Sequence, residues 1–414
     1  MKVLIYGLNY APEPVGIGKY SGELGGWLAG RGHQVRAITA PPYFPQWHAK
    51  ANRYRQELIG KVTVWRCPLW VPKKPNGITR LLHLASFAIS SLPVLLSQWR
   101  WRPDLLICVA PALFCAPGAL VLKRLCGPHT VVWLHIQDFE LDAAFELGLL
   151  QGERMRKTAE RLESRLLRSF QKVSSISEAM RQCTITKGVA PSRAELIPNW
   201  VDLNAIRPEP YMERQHNPYR QELGLRTGQL VLLYSGSINQ KQGLEILVEV
   251  ISALSEYKNL VWILAGEGPG KKPLQAATRH LPQVRHLPLQ PVERLSDWLN
   301  LADIHLLPQK AAAADLVLPS KLLGILASGR PVVAGSPEGS TLGKLAEQAG
   351  RRVNPGDAKA FTKAIEELVR SAQKRQQLGK KARQLVEQSY GINTVLELFE
   401  QEALSAISQN HAKP

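Results

Sequence analysis

The sequence predicts an α/β chain built as two Rossmann-like units, and three observations predict it. A length of 414 residues is more than one hydrophobic core usually organises, so two domains are expected. Short, continuously apolar runs alternate with helical patterns. Runs of that kind read as strands buried on both faces, and a strand–helix–strand order gives parallel, right-handed units. A proline-rich, polar stretch, Pro208 to Pro218, reads as the linker between them.

The composition is globular, 45% hydrophobic and 21% charged, without repeats or low-complexity runs. The formal net charge of +18 points to an anionic partner. Nucleic acid, an anionic membrane and phosphorylated substrates all fit that charge, as does simple solubility. No nucleic-acid motif is present, and the Lys and Arg residues are dispersed rather than blocked, so nucleic acid is not expected. The five cysteines, Cys67, Cys108, Cys115, Cys126 and Cys183, form no C-x-x-C pair and fit reduced, buried thiols of a cytosolic protein. The start, Lys2 followed by a short apolar run and Gly7, does not read as a signal peptide.

Val3 to Tyr6 is the first strand, and Val35 to Thr39 the second. Between them lie a loop, Ala11 to Lys19, and a helix, Ser21 to Gly30. Gly16 and Gly18 stand just before that helix, where a backbone can approach a phosphate, or where a turn simply needs flexibility. They are not a dinucleotide fingerprint, because the spacer is long and Ser21 occupies the third glycine position. Glu13 in the same loop is a candidate sugar contact. Tyr43, Phe44 and Trp47 follow the second strand, free to stack on a ligand or to pack. Thr79 to Arg102 is apolar on most faces and ends in Trp99, Arg100, Trp101 and Arg102. Two readings stay open for it, an interfacial membrane helix or a core helix with snorkelling arginines. Its longest apolar part, Leu81 to Leu96, is interrupted by His83, serines and Pro93, too much for a clear span. Asp104 to Val109 and Thr130 to Leu134 are further strands. His135 and Asp138 follow the latter, at the carboxyl edge where ligands of open α/β sheets bind. His135 reads equally as a structural or a functional residue. Asp138, Glu140 and Asp142 form an acidic cluster without a D-x-D pair, so no metal is expected.

In the second half, Leu230 to Tyr234 and Val261 to Ala265 are strands. The loop from Ser235 to Leu244 is rich in small residues and carries Ser237 and Lys241, the latter a phosphate-facing cation or a surface lysine. Val284 to Leu289 is a strand and loop. Asp315 to Ala334 runs from an extended LVLP segment through Pro319, Ser320 and Lys321 into an apolar helix that Gly329 stops. Ser320 is placed like an N-cap. The first-turn N–H groups, Lys321 and the dipole would then form an anion site, unless this is an ordinary capped helix.

The order P-S-K-L…A-x-G-x-P-V-V, supplied by Pro319, Ser320, Lys321, Leu322, Ala327, Gly329, Pro331, Val332 and Val333, resembles the signature of family 4 retaining glycosyltransferases. Among them the chain is most similar to those of colanic acid, capsule and O-antigen biosynthesis. The run Ile197-Pro198-Asn199-Trp200-Val201-Asp202 resembles their I-P-N-G-V-D. The resemblance covers nearly the whole length. It implies the GT-B fold, two Rossmann-like domains facing each other across a deep cleft. Residues 1–205 would bind the acceptor and residues 206–390 the nucleotide-sugar, with a C-terminal helix at about 391–414 packing back on the first domain.

The resemblance also implies roles. Gly16 and Gly18 would reach the donor diphosphate, and Leu287 and its loop would grip the base through the backbone. Ser237, Lys241, Pro319, Ser320, Lys321 and Leu322 would hold the phosphates, and His135, Asp138 and Lys241 would act at the reaction centre. The chain departs from the family at Gly324 and Leu316, where many relatives carry a glutamate pair that holds the ribose; Asp315 is the candidate substitute. It departs again at Ser237 and Gln242, where many relatives have Arg and Lys.

The expected function is metal-independent transfer of a sugar, with retention, from a UDP- or GDP-sugar and without a cofactor. The acceptor is a saccharide or a polyprenyl-diphosphate-linked saccharide, and the location is cytoplasmic, peripheral at the inner face of an anionic membrane. The alternatives are a sugar-nucleotide epimerase or hydrolase on the same fold, or a non-catalytic membrane-associated scaffold, which the missing glutamates favour.

Overall fold

The computed structural model describes residues 1–14, 16–43, 48–49, 51–73, 77–109, 112–139, 153–211, 213–310 and 320–412. The chain forms two compact units, Met1–Asn199 with Leu396–Pro414, and Trp200–Val395. These divisions lie a few residues from positions 205 and 391.

The first unit runs β1 (Lys2–Tyr6), α1 (Gly16–Gly30), β2 (Gln34–Thr39), β3 (Arg55–Ile59), β4 (Val62–Arg66), α2 (Gly77–Ser97), β5 (Leu105–Val109), α3 (Ala112–Cys126), β6 (Val131–Ile136), α4 (Glu153–Arg168), β7 (Lys172–Ser175), α5 (Glu178–Thr186) and β8 (Ala194–Leu196). Its eight-stranded sheet has the order β3-β4-β2-β1-β5-β6-β7-β8. All its pairs are parallel except β3–β4. β5 and β6 are buried at every residue, as strands covered by helices on both faces must be. The β3–β4 hairpin is not foreshadowed by an apolar run, because β3 (RQELI) is an edge strand with Leu58 70% exposed.

Helix α1 begins at Gly16, not at Ser21. Gly16 and Gly18 are therefore its first turn and not a loop before it. Glycine is a poor helix former, so propensity alone delays the start; packing against the sheet overrides it.

Helix α2 is two-faced. His83, Phe87, Ser91 and Leu95, spaced four residues apart, are buried. Phe87 and Leu95 join the core, and Ser91 Oγ lies 2.8 Å from the Tyr6 hydroxyl. On the other face Leu82, Ile89 and Leu92 are exposed, as is Trp99 in the turn Gln98–Arg100 that follows. Only 28% of the apolar window within Thr79–Arg100 is buried, so neither a core helix nor a solvated one describes it.

The second unit runs α6 (Pro218–Glu222), β9 (Leu230–Ser235), α7 (Ile246–Ala253), β10 (Leu260–Ala265), α8 (Lys271–Thr278), β11 (Val284–Leu287), α9 (Leu295–Asn300), β12 (Ile304–Pro308), α10 (Ser320–Ala327), β13 (Val332–Gly335), α11 (Thr341–Ala349), β14 (Gly350–Val353), α12 (Ala358–Arg370) and α13 (Ala372–Ser389). Its six-stranded parallel sheet has the order β11-β10-β9-β12-β13-β14. The segment after Pro208 is not a loose linker. Tyr211 stacks beneath the Arg330 guanidinium at 4.7 Å, and Arg214 and Arg220 both pair with the buried Asp303.

The last helix, α14 (Ile392–His411), starts in the second unit and continues in the first. There Phe399 packs on Trp133 at 4.9 Å, and Glu400 meets His33 at 2.6 Å and Arg31 at 3.2 Å.

Candidate active site

In the second unit the connections run outward from β9 in both directions, through β10 to β11 on one side and through β12 to β14 on the other. The strand order thus reverses between β9 and β12, and the crevice at their carboxyl ends is the position where open α/β sheets bind nucleotides. The β9 loop is held in one shape. Tyr234 donates its hydroxyl proton to the Ser237 carbonyl, Asn239 caps the turn by accepting from Lys241 N at 3.0 Å, and Ile238 N donates to the Glu267 carbonyl at 2.8 Å. Gly243 closes the loop at φ 63°, and any Cβ there would lie 2.0 Å from the Pro308 carbonyl oxygen. Only glycine fits, and the contact joins this loop to the end of β12.

Helix α10 follows β12 and opens at Ser320. Ser320 is thus the first helical residue, and the cap position falls on 319, outside the described residues. The first-turn N–H groups have no partner within the helix. Lys321 stands on this turn. Its ammonium donates to Gln242 Oε1 at 2.6 Å and to the Tyr234 hydroxyl at 3.2 Å, and it lies 4.4 Å from the centre of the Tyr234 ring. Burial lowers its pKa to about 7. Both acceptors are neutral, and among the described residues no carboxylate pairs with it. Lys172 and Lys187, comparably covered in the first unit, each meet a glutamate. A half-buried cation with only neutral partners among the described residues, beside N–H groups that have no acceptor within their own helix, suits an anion.

The other expected site residues distribute unevenly. Leu322 is fully buried, so only its backbone N–H can face a ligand. Ser237 is exposed, and its carbonyl is already engaged by Tyr234. Lys241 is exposed on the turn Gln240–Gln242, one position beside the residue that reaches Lys321. Leu287 ends β11, and its carbonyl accepts from Gly266 N at 3.1 Å. Asp315 and Pro319 lie outside the described residues. A Cβ on Gly324 would sit 3.3 Å from Leu299 Cδ1 and 3.6 Å from Ile206 Cδ1, so a longer side chain there would start against apolar neighbours.

In the first unit, Glu13 is buried and accepts from Asn9 Nδ2 at 2.8 Å and Tyr43 N at 3.1 Å. It organises the loop rather than facing a sugar. Gly18 is required by that arrangement, since a Cβ would lie 2.5 Å from Glu13 Oε2. Tyr43 is buried edge-on to His83 and is a packing residue; Phe44 and Trp47 lie outside the described residues. His135 is buried, with Nδ1 2.8 Å from Ser174 Oγ and Nε2 2.9 Å from the Gln137 amide. Burial lowers its pKa to about 4, so the ring is neutral. Asp138, three residues on, is exposed, while Glu140 and Asp142 lie outside the described residues.

The chain is similar to known proteins over most of its length. Residues 15–200 match the Glycosyl transferase 4-like domain, and residues 215–385 match the Glycosyl transferases group 1 family. An Escherichia coli K12 protein named as the colanic acid biosynthesis glycosyl transferase WcaI is 45% identical over 356 residues, covering 84% of this chain and 86% of that one. The chain belongs to the family 4 glycosyltransferases. Among solved structures it is similar to the sucrose-phosphate synthase of Thermosynechococcus elongatus, at TM-score 0.76 and 16% identity over 99% of both chains. It is also similar to Anabaena HepE in complex with UDP and glucose, at TM-score 0.67 and 16% identity over 98% of this chain and 100% of that one. These identities establish the fold, which is GT-B, and the family establishes that this chain is a glycosyltransferase.

Proposed function

We propose that the protein transfers a sugar, with retention and without a metal, from a UDP- or GDP-sugar to a lipid-linked saccharide during synthesis of a surface polysaccharide of the colanic-acid type. The observation that carries this reading is Lys321, a half-buried lysine on the first turn of α10 whose ammonium meets no carboxylate among the described residues, at the crevice between β9 and β12. Its chemistry suits the donor diphosphate. As the anomeric C–O bond breaks, negative charge develops on the departing phosphate, and the N–H groups of residues 320–322 and Lys321 are pre-set to meet it. The acceptor oxygen bonds to the anomeric carbon on the same face. Its proton passes to the departing phosphate oxygen, so no separate base is required. Lys241 and Ser237 flank the phosphates, and the backbone beyond Leu287 meets the base; Asp315, Pro319, Gly16 and Gly18 keep the donor-binding roles that the family resemblance implies. His135 is a positioning residue in this reading: neutral, it orients Gln137 and Asp138 toward the sugar.

The lipid-linked acceptor and a place at the inner face of the cell membrane are supported by α2. It exposes Leu82, Ile89 and Leu92, the turn after it exposes Trp99 with the Arg100 guanidinium 5.5 Å from its ring, and Val121 and Leu125 of α3 are exposed as well. Apolar bulk with aromatic and cationic flanks is the composition of an interfacial surface. The missing ribose glutamates favour one second reading, a non-catalytic scaffold. Thermal shift against UDP, GDP, ADP and their sugar conjugates, with and without EDTA, tests the function. Selective stabilisation that survives EDTA is expected. Silence across the panel would favour the scaffold.

A further inference from the structure

We propose that Gln242 and Tyr234 are positioning residues for the donor: their side-chain oxygens hold the Lys321 ammonium at the β9–β12 crevice. The inference rests on the phosphate role of Lys321. An ammonium has three N–H donors. Two are directed by Gln242 Oε1 at 2.6 Å and the Tyr234 hydroxyl at 3.2 Å. Among the described residues the third has no acceptor, and it is the one left for an anion. Tyr234 can accept from Lys321 because its own proton goes to the Ser237 carbonyl. The Tyr234 ring, 4.4 Å from the ammonium, adds a second neutral source of attraction.

The identity of residue 242 follows from this geometry. A lysine there would place a second ammonium within hydrogen-bond distance of the first, and the two would repel in a desolvated site. Glutamine turns that contact into attraction and adds no charge of its own. Glutamate would neutralise the cation and repel the diphosphate. Gln242 reaches Lys321 because it ends the turn Gln240–Gln242, and the left-handed Gly243 pinned under Pro308 fixes where that turn ends. Lys241, one residue earlier, is exposed.

The test is calorimetric binding of UDP and GDP from pH 6 to 9 to the full chain and to Lys321→Ala, Gln242→Leu, Gln242→Glu and Tyr234→Phe, with a melting curve for each. A hydrogen bond to a charged group is removed in Gln242→Leu, so nucleotide binding should weaken roughly tenfold or more. The alkaline fall in affinity should also move to lower pH, because the protonated lysine has lost an acceptor. Gln242→Glu should move that fall to higher pH. Tyr234→Phe keeps the ring and should shift it down less than Gln242→Leu does. Unchanged affinity and midpoint in both Gln242→Leu and Tyr234→Phe, with binding lost in Lys321→Ala, would overturn the positioning role and leave the phosphate reading intact. Weaker binding that tracks a lower melting temperature without a shift of the midpoint would overturn it too, marking a merely structural contact. Wild-type affinity in Lys321→Ala would instead remove the phosphate reading itself.

Discussion

Lys321 and His135 make an instructive pair. Each is a titratable side chain at the carboxyl edge of a parallel sheet, and in each burial disfavours the charged form. They differ in what surrounds them. His135 has a partner on both ring nitrogens, Ser174 and Gln137, and is complete without a ligand. Lys321 has two neutral acceptors, an unused donor and no counter-ion among the described residues. The ends of parallel strands collect polar groups for structural reasons as well as chemical ones. Incomplete satisfaction, rather than location, separates the two cases.

The sharpest way to break this comparison is substitution at both positions. Lys321→Ala should lower sugar transfer by on the order of a hundredfold or more, since it removes a charged donor to the phosphate, while the melting temperature changes little. His135→Phe should do the reverse in proportion. It strands the Gln137 amide and takes from the Ser174 hydroxyl one of its two partners, the other being Trp133 Nε1, lowering stability by about 1–3 kcal/mol, with transfer per folded molecule reduced less than in Lys321→Ala. Activity and melting curves on both variants decide it. Equal loss of transfer at equal melting temperature would place His135 on the substrate.

Acid stability sharpens it further. Burial holds the pKa of His135 at about 4 and of His305 at about 3, both below the free value. The unfolded chain binds protons in that window and the folded chain does not, so stability should fall as pH drops from about 6.5 toward 4, by up to about 1.4 kcal/mol per pH unit per group. Lys321 behaves differently. Above pH about 7 its ammonium deprotonates in the empty site, so nucleotide affinity should decline with rising pH and binding should take up a proton. Calorimetry in buffers of different ionisation enthalpy measures that uptake.

The smallest effect on donor binding is expected on the exposed face of α2. Ile89→Asp with Leu82→Glu should reduce co-sedimentation with anionic vesicles and leave UDP or GDP binding and the melting temperature within error, since both side chains are exposed.

Much of the fold was legible in the residues. Strands buried on both faces read as unbroken apolar runs, so LLICV and LVWILA announce themselves. The start of α1 was not legible, because Gly16 and Gly18 are poor helix formers held in a helix by tertiary contacts. The edge strand β3 lacks the burial that creates a pattern. In the site, Lys321 was readable from its place at a helix start. Tyr234 and Gln242 were not assigned, since one looks like the last residue of a strand and the other like a departure from a family pattern. Their role exists only once β9, its loop and α10 are brought together. Glu13 shows the opposite error, a carboxylate in a promising loop that packing uses internally.

Helix α14 carries a consequence for how the chain is made. The first unit needs Phe399 against Trp133 and Glu400 beside His33, yet those residues follow the whole of the second unit in the chain. The second unit, Trp200–Val395, is contiguous and can close as soon as it emerges. Domains of nascent chains generally fold from the amino terminus onward; here completion should run the other way. The amino-terminal half waits, its Trp133 side uncovered, until the segment beyond the second unit has emerged.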